Sequence, residues 1–124
     1  SNIVKNAINM MTDKFGSNPC DIIAFIGPGI CVDCYEVSQD TINEFRKNYS
    51  QSECELIIQP ENKSGKYLLN LSGADYINLI NAGVRPENIY LSDVCTSENS
   101  DILFSHRASS GKRGIMCNFI KIIN

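Results

Sequence analysis

Cys31 and Cys34 are separated by two residues, a spacing typical of half a zinc site or of a redox pair. No second pair of cysteines has this spacing, and His106 is the only histidine. A zinc tetrad would therefore have to take Cys95 or Cys117 from far along the chain. The alternative is a structural role, with at least one of the two thiols packed against a neighbouring strand. We expect that this chain alone binds no metal.

A second group of chemically active side chains lies between Ser105 and Gly114, where hydroxyl groups, cations and glycines follow one another. Arg107 could hold a phosphate or carboxylate through two parallel hydrogen bonds, and backbone N–H groups of the loop could add to them. The alternative is a solvated surface loop. The P-loop and the G-x-S-x-G signatures are both absent from the sequence.

Length and charge narrow the classes of function. The 124 residues are enough for one domain at most, and 11 basic against 14 acidic residues give a net charge of −3. There is no basic field to hold nucleic acid or an anionic membrane, so we expect neither partner. No apolar run approaches the ~20 residues of a membrane span, and no basic-then-apolar leader opens the chain. We therefore expect a cytoplasmic protein.

Six cysteines in a chain of this length could indicate a disulfide-rich secreted domain. Most of them, however, lie inside or beside short apolar runs. This placement favours reduced, buried thiols in a reducing compartment.

The stretch 21–37 is the one around which the other elements are expected to be arranged. Residues 22–26 form an apolar run that predicts a buried strand, and Gly27, Pro28 and Gly29 end it abruptly. Pro28 has no N–H to donate, and the flanking glycines permit backbone angles that let a ligand or another segment approach closely. Functional sites are often found at such turns.

The remaining elements follow from periodicity and from turn residues. Apolar spacing predicts helices over Ile3–Phe15, 39–49 with Ser38 as N-cap, and 71–82 with Gly83 after the last turn. Short apolar runs predict strands at 56–58, 89–91 and 114–123. Residues 67–69 are predicted to form a weak strand or the start of a helix, and residues 102–107 a short helix or a loop. Polar connections are predicted at 50–53, 60–66 and 95–101. Helices alternating with strands indicate an α/β fold, a layered mixed β-sheet packed with helices.

Several segments together resemble a known family. They are Ile26-Gly27-Pro28-Gly29-Ile30 with Cys34-Tyr35-Glu36-Val37, Ala82-Gly83-Val84 with Pro86-Glu87-Asn88-Ile89, Cys95-Thr96, Phe104-Ser105-x-Arg107, and Gly111-Lys112-x-Gly114-x-Met116 with Phe119-Ile120. In this order they resemble the YfiH-like family, also called the multicopper polyphenol oxidoreductase or laccase-domain family. Its members are also described as purine nucleoside phosphorylases and peptidoglycan-editing factors.

The resemblance implies a YfiH-like fold that is truncated at the N-terminus. Family members bind zinc through a His, a Cys and a second His in segments like V-H-G, A-D-C and H-A-G-W-R-G, and this sequence contains none of the three. The resemblance therefore identifies residues 1–124 as the C-terminal portion of a single YfiH-like domain. No catalytic residue and no metal ligand is carried over.

A substrate-binding wall is what the resemblance assigns to this chain, formed by Gly27, Pro28, Cys95, Thr96, Ser105 and Arg107. Two residues depart from the family pattern: His106 stands where Tyr is common, and Ile115 where Arg is frequent.

The implied intact protein is a zinc-dependent purine nucleoside phosphorylase that also deaminates adenosine. Its partners would be a purine nucleoside, phosphate, and the missing N-terminal half or a second copy of the chain. A copper-dependent polyphenol oxidase and a peptidoglycan-precursor hydrolase are alternatives. Another alternative is a non-catalytic fragment or assembly module, which an exposed apolar face would mark.

Overall fold

A computed structural model describes residues 3–60, 65–121 and 123. The helices are α1 (Ile3–Phe15), α2 (Gln39–Arg46), α3 (Gln51–Ile57) and α4 (Leu71–Asn81). The strands are β1 (Ala24–Ile26), β2 (Glu36–Ser38), β3 (Ile58–Pro60), β4 (Lys66–Leu69) and β5 (Ile89–Leu91). Single-turn 3-10 helices lie at Pro19–Asp21, Val32–Cys34 and Pro86–Asn88. None of the helices in the described ranges is long and apolar enough to cross a membrane.

The described strands form two small sheets. Strands β1 and β5 pair in parallel, with Ala24 opposite Ile89 and Ile26 opposite Leu91. Strand β4 lies between β2 and β3 and is antiparallel to both. Helices cover these strands, so the α/β class with parallel and antiparallel pairing is confirmed.

Each sheet has its own apolar core, and α4 contributes to both. The three-stranded sheet buries Ile42, Ile57 and Leu69 together with Ala74 of α4. The parallel pair packs against α1 and α4 around a second set of buried residues: Ile8, Leu79, Val84 and Ile89. Because one helix lies in both cores, it fixes the two sheets relative to each other.

The predicted helix Ile3–Phe15 is confirmed, and the helix predicted over 71–82 is observed at Leu71–Asn81. The Asn70 side chain caps α4 by accepting a hydrogen bond of 2.8 Å from the N–H of Gly73. After its last turn, Gly83 has a φ of +92°, which strongly favours glycine. Strand β5 confirms the strand predicted at 89–91, and β4 shows that residues 67–69 belong to a strand rather than to a helix. Turns occupy residues 96–100, as predicted.

The prediction for 50–58 was wrong, because helix α3 occupies most of it. Ser50 and Glu53 form a capping box, in which each side chain accepts a hydrogen bond from the other residue's backbone N–H. Leu56 and Ile57 therefore end the helix, and the strand begins only at Ile58. The S-x-x-E spacing that starts the helix is present in the sequence and was the missed signal.

Other boundaries also differ. The 3-10 turn at Pro19–Asp21 delays β1 to Ala24, and α2 ends at Arg46 rather than at residue 49. Ser38 precedes α2 as predicted, but its side chain makes no capping hydrogen bond. Residues 102–107 form turns and an irregular segment rather than a helix. Of the predicted 60–66 loop, Pro60 and Lys66 belong to strands, Gly65 forms a turn, and 61–64 lie outside the described residues.

The strand predicted over 114–123 was wrong for residues 114–121, which have no regular secondary structure. A strand requires a hydrogen-bonded neighbour, and no described strand pairs with this segment. Its apolar side chains are largely exposed, including Ile115, Phe119 and Ile120. Residue 122 lies outside the described residues.

Two adjacent positions of α3 test the assigned core. Ile57→Ala should lower the free energy of unfolding by about 2–5 kcal/mol, because Ile57 is 0% exposed and the smaller side chain leaves a cavity. Leu56→Ala should change it by less than about 0.5 kcal/mol, because Leu56 is 70% exposed. Urea unfolding followed by far-UV circular dichroism measures both, and equal effects would contradict this core.

The capping box predicts a pH dependence of stability. Hydrogen bonds from the Asn81 side chain and from Ser50 lower the pKa of Glu53 below its usual 4.5. Its contribution to stability is therefore complete above pH 4.5 and is lost as the pH falls through the lower folded-state pKa. Urea unfolding at a series of pH values from 7 to about 3 should show a shallower acid-side loss in Glu53→Gln than in the wild type.

The matched control for this pH series is Glu55→Gln, in the same helix. The Glu55 carboxylate is exposed and accepts a hydrogen bond from Gln51. We expect the wild-type pH slope in this variant. The same flattening in both variants would show that the helix, rather than the capping carboxylate, causes the effect.

Candidate functional site

Two segments that leave the carboxyl ends of β1 and β5 run side by side. The N–H of Gly29 donates to the carbonyl of Val94 at 3.3 Å, and the N–H of Thr96 donates to the carbonyl of Gly29 at 2.9 Å. Gly29 and Cys95 thereby form a parallel bridge beyond the ends of the strands. The carboxyl edge of parallel strands is a common position for ligand sites.

A cleft of about 620 Å³ opens beside this bridge. It contains four of the six predicted substrate-binding residues: Pro28, Thr96, Ser105 and Arg107. The other two, Gly27 and Cys95, line a neighbouring pocket of about 190 Å³, and Gly29 borders both spaces. Sequence reasoning missed further residues of the cleft wall, among them Tyr35, Phe104 and Arg113.

Arg107 is held at the edge of the cleft by the segment before β2. One guanidinium nitrogen donates to the carbonyl of Glu36 at 2.9 Å, and the guanidinium carbon lies 5.1 Å from the centroid of the Tyr35 ring. The first contact fixes the side chain's position, and the second is a cation–π interaction. The remaining N–H groups of Arg107 have no partner within the described ranges, so they can bind an anion.

Thr96 and Ser105 are the buried polar residues of the described chain. The Ser105 hydroxyl accepts a hydrogen bond from the N–H of Ala108 at 3.2 Å, so it stabilises its own turn. The Thr96 hydroxyl makes no hydrogen bond to another described residue, although it lines the cleft. A buried hydroxyl without a protein partner is unfavourable unless water or a ligand binds it.

Beside the neighbouring pocket lies the thiol cluster, which we define as Cys31, Cys34, Cys95 and Glu98. All of its members except Cys34 line that pocket. One ligand atom of each residue lies within 4.8 Å of the others. The Sγ atoms of Cys31 and Cys34 are each 3.9 Å from Oε1 of Glu98, and the N–H of Cys31 donates to Sγ of Cys95 at 3.3 Å. The four residues come from the 3-10 turn before β2 and the turn after β5.

Sequence reasoning considered Cys95 or Cys117 as a distant ligand to join Cys31 and Cys34, but it missed Glu98. The signal was its spacing, because Cys95-x-x-Glu98 repeats the two-residue interval of Cys31-x-x-Cys34. Only folding brings the two pairs together, across a sequence separation of more than sixty residues.

The surroundings shift the pKa values of Cys31 and Cys95 in opposite directions. Burial, followed by hydrogen bonding with Cys95 and Cys34, raises the pKa of Cys31 to about 12. Burial also disfavours a thiolate at Cys95, but backbone N–H groups of Cys31, Glu98 and Ser97 outweigh it and lower the pKa of Cys95. The thiol of Cys95 therefore ionises more readily than that of Cys31.

All six cysteines are free thiols in the structure. The expectation that they are buried is correct only for Cys95. Cys20, Cys31, Cys34 and Cys54 are partly buried, and Cys117 is exposed. The reason for the exposure of Cys117 is that its segment does not form the predicted strand.

Comparison with known proteins supports the family interpretation. The model of the family "Multi-copper polyphenol oxidoreductase laccase" matches residues 1–123. The purine nucleoside phosphorylase YlmD of Bacillus subtilis is 31% identical over 118 residues, 95% of this chain and 41% of YlmD. YlmD of Geobacillus stearothermophilus is 35% identical over 82% of this chain and 36% of its own length.

Solved structures show the same relationship. The crystal structure of the Bacillus licheniformis hypothetical protein YfiH superposes with a TM-score of 0.82 at 35% identity, covering 90% of this chain and 41% of that one. YlmD from Geobacillus stearothermophilus gives a TM-score of 0.80 at 31% identity, covering 91% of this chain and 41% of that one. The chain spans about two fifths of the length of these relatives. It belongs to the YfiH-like family, the multi-copper polyphenol oxidoreductase laccase family of the matching model.

Proposed function

We propose that this chain is the C-terminal portion of a single YfiH-like domain, in which it forms walls of the substrate pocket of a purine nucleoside phosphorylase. The observation that carries the proposal is the cleft that joins Thr96 and Arg107 at the carboxyl edge of the parallel strands. Several relatives are named purine nucleoside phosphorylases, which supports the choice of substrate class.

The size and chemistry of the cleft suit a nucleoside and phosphate. Its volume of about 620 Å³ lies within the ~300–1,000 Å³ of small-molecule sites. Phe104 and Met116 supply apolar surface for a base, whereas Arg107 and Arg113 supply positive charge for phosphate. The buried Thr96 hydroxyl would donate to a phosphate or ribose oxygen.

In phosphorolysis, a phosphate oxygen attacks the sugar carbon that carries the base, and the bond from that carbon to the base nitrogen breaks. Phosphate has to approach with its negative charge neutralised, and Arg107 is positioned for this by Glu36 and Tyr35. The base departs with the bonding electrons and takes up a proton. The described residues of this chain provide binding and orientation for this reaction.

Zinc dependence belongs to the intact protein in this proposal, with activation of the nucleophile as the chemistry that the ion supplies. The His, Cys and His ligands that the family resemblance implies are not in this sequence, so its own residues do not fit that metal centre. The finer assignments, deamination of adenosine and zinc rather than copper, are part of the same proposal.

The copper oxidase alternative has the family's name in its favour. Copper oxidase sites require imidazole ligands, and this chain has only His106, which is exposed in the cleft. No contact among the described residues favours hydrolysis of a peptidoglycan precursor over the proposed function. The cytoplasmic location stays a prediction.

A non-catalytic docking module is the second candidate, and the exposed apolar side chains favour it. They include Phe15, Ile115 and Phe119, the last of which is 95% exposed. A contiguous exposed apolar patch marks a protein–protein contact surface, and these side chains are the candidates for such a patch here. The partner would be either the N-terminal part of the domain or a second copy of this chain.

The test compares this chain with the longest chain that its reading frame encodes, each with and without zinc. Inosine and adenosine are incubated in phosphate buffer, and released base is measured by chromatography. Base release by the longer chain alone would support the proposed function. No release by either, with this chain dimeric in sedimentation, would favour the docking module. Release by the short chain would contradict both candidates.

Within an active form, Arg107→Gln should raise the KM for phosphate at least tenfold, because a charge-assisted hydrogen bond contributes about 1.5–3 kcal/mol. Arg85→Gln is the matched control. It removes the same charge from an arginine that faces Asp21, away from the cleft lining. An unchanged KM in Arg107→Gln, or an equal rise in both variants, would exclude phosphate binding by Arg107.

A further inference from the structure

We propose that the thiol cluster binds one zinc-type divalent ion through the three thiolates of Cys31, Cys34 and Cys95 and the carboxylate of Glu98. All four proposed ligands belong to this chain, which contains none of the ligand segments of the His/Cys/His centre implied for the family. The proposal does not depend on the proposed enzymatic function.

The donor set matches what tetrahedral zinc sites use. Thiolate sulfur binds zinc at about 2.3 Å and carboxylate oxygen at about 2.0–2.2 Å, so neighbouring ligands of a tetrahedral ion lie about 3–4 Å apart. The four ligand atoms here lie within 4.8 Å of one another, and two of the sulfur–oxygen distances are 3.9 Å. Side-chain adjustments of about 1 Å or less would bring all four to coordination distance.

The spacing along the chain supports the same conclusion. Cys31 with Cys34, and Cys95 with Glu98, each place two donors on one short turn. Two such turns facing each other resemble the framework of a structural zinc site, with Glu98 in the place of a fourth Cys or a His. The carboxylate favours a divalent ion over monovalent copper, which prefers sulfur ligands alone.

A backbone hydrogen bond supports one of the ligands. The N–H of Cys31 donates to Sγ of Cys95 at 3.3 Å. Such donors orient a metal-binding thiolate and share its negative charge. Glu98 is exposed, and Cys31 and Cys34 are partly so, which leaves a path for the ion to enter.

The position of the site indicates what the ion would do. It would join the connection between β1 and β2 to the segment after β5, which in the described structure are held by backbone hydrogen bonds of Gly29 and by the Cys31 contact. Cys95 is followed directly by Thr96, which lines the cleft. Metal binding would therefore stabilise both the fold and one wall of the cleft.

The experiment uses this chain, purified under reducing conditions. We expect one zinc ion per chain by elemental analysis, and a cobalt(II)-substituted form with the thiolate charge-transfer and intense visible bands of tetrahedral coordination. Cys34→Ser and Glu98→Gln should each weaken zinc binding at least tenfold in a chelator competition. Zinc should raise the melting temperature of the wild type more than that of either variant.

Cys54→Ser and Cys117→Ser are the matched controls, because each removes a thiol outside the cluster. They should keep the wild-type stoichiometry and spectrum. A folded, reduced chain without the cobalt thiolate bands would overturn the proposal, as would unchanged affinity in Cys34→Ser. A disulfide between two cluster cysteines in the reduced preparation would replace the metal site with a redox pair. Far-UV circular dichroism distinguishes any of these results from misfolding.

Discussion

The parallel pairing of β1 with β5 is the constraint on which the rest of the structure depends. The two strands are three residues long, but hydrogen bonds of Gly29 with Val94 and Thr96 continue the pairing past their ends. This continuation aligns the Gly27–Gly29 turn with the Cys95–Glu98 turn. Both the cleft and the thiol cluster lie along that alignment, so loss of the pairing would separate the two halves of each site.

Helix α4 connects the parallel pair to the three-stranded sheet, because it packs in the cores of both. Ala74 packs into the core of the three-stranded sheet, and Leu79 packs beneath the parallel pair. Strand β2 begins directly after Tyr35, whose ring and neighbouring carbonyl hold Arg107. The cationic side of the cleft thus depends on one sheet and the Thr96 side on the other. Helix α4 packs against both sheets and so holds them relative to each other.

Local patterns predicted the elements whose stability is itself local. Helices α1 and α4 have regular apolar spacing and suitable end residues, and both were found where expected. Helix α3 was missed because its one apolar turn resembles a short strand, although the capping residues Ser50 and Glu53 were readable. The strand predicted over 114–123 was wrong for another reason. Alternating apolar and polar residues predict which face of a strand would be buried, but a strand also requires a hydrogen-bonded partner. None of the described strands pairs with this segment.

The sequence by itself determined the α/β class, the turn at Gly27–Gly29, the family resemblance and the residue types able to bind an anion or a metal. Those properties depend on residue identity and on spacing within a few positions. The tertiary structure decided which of these residues meet. It placed Thr96 and Arg107 in one cleft, assigned Gly27 and Cys95 to the adjoining pocket, and added Glu98 to the thiols. These contacts join segments more than sixty residues apart in several cases, and the pairing of β1 with β5 and the packing of the two sheets on α4 specify them.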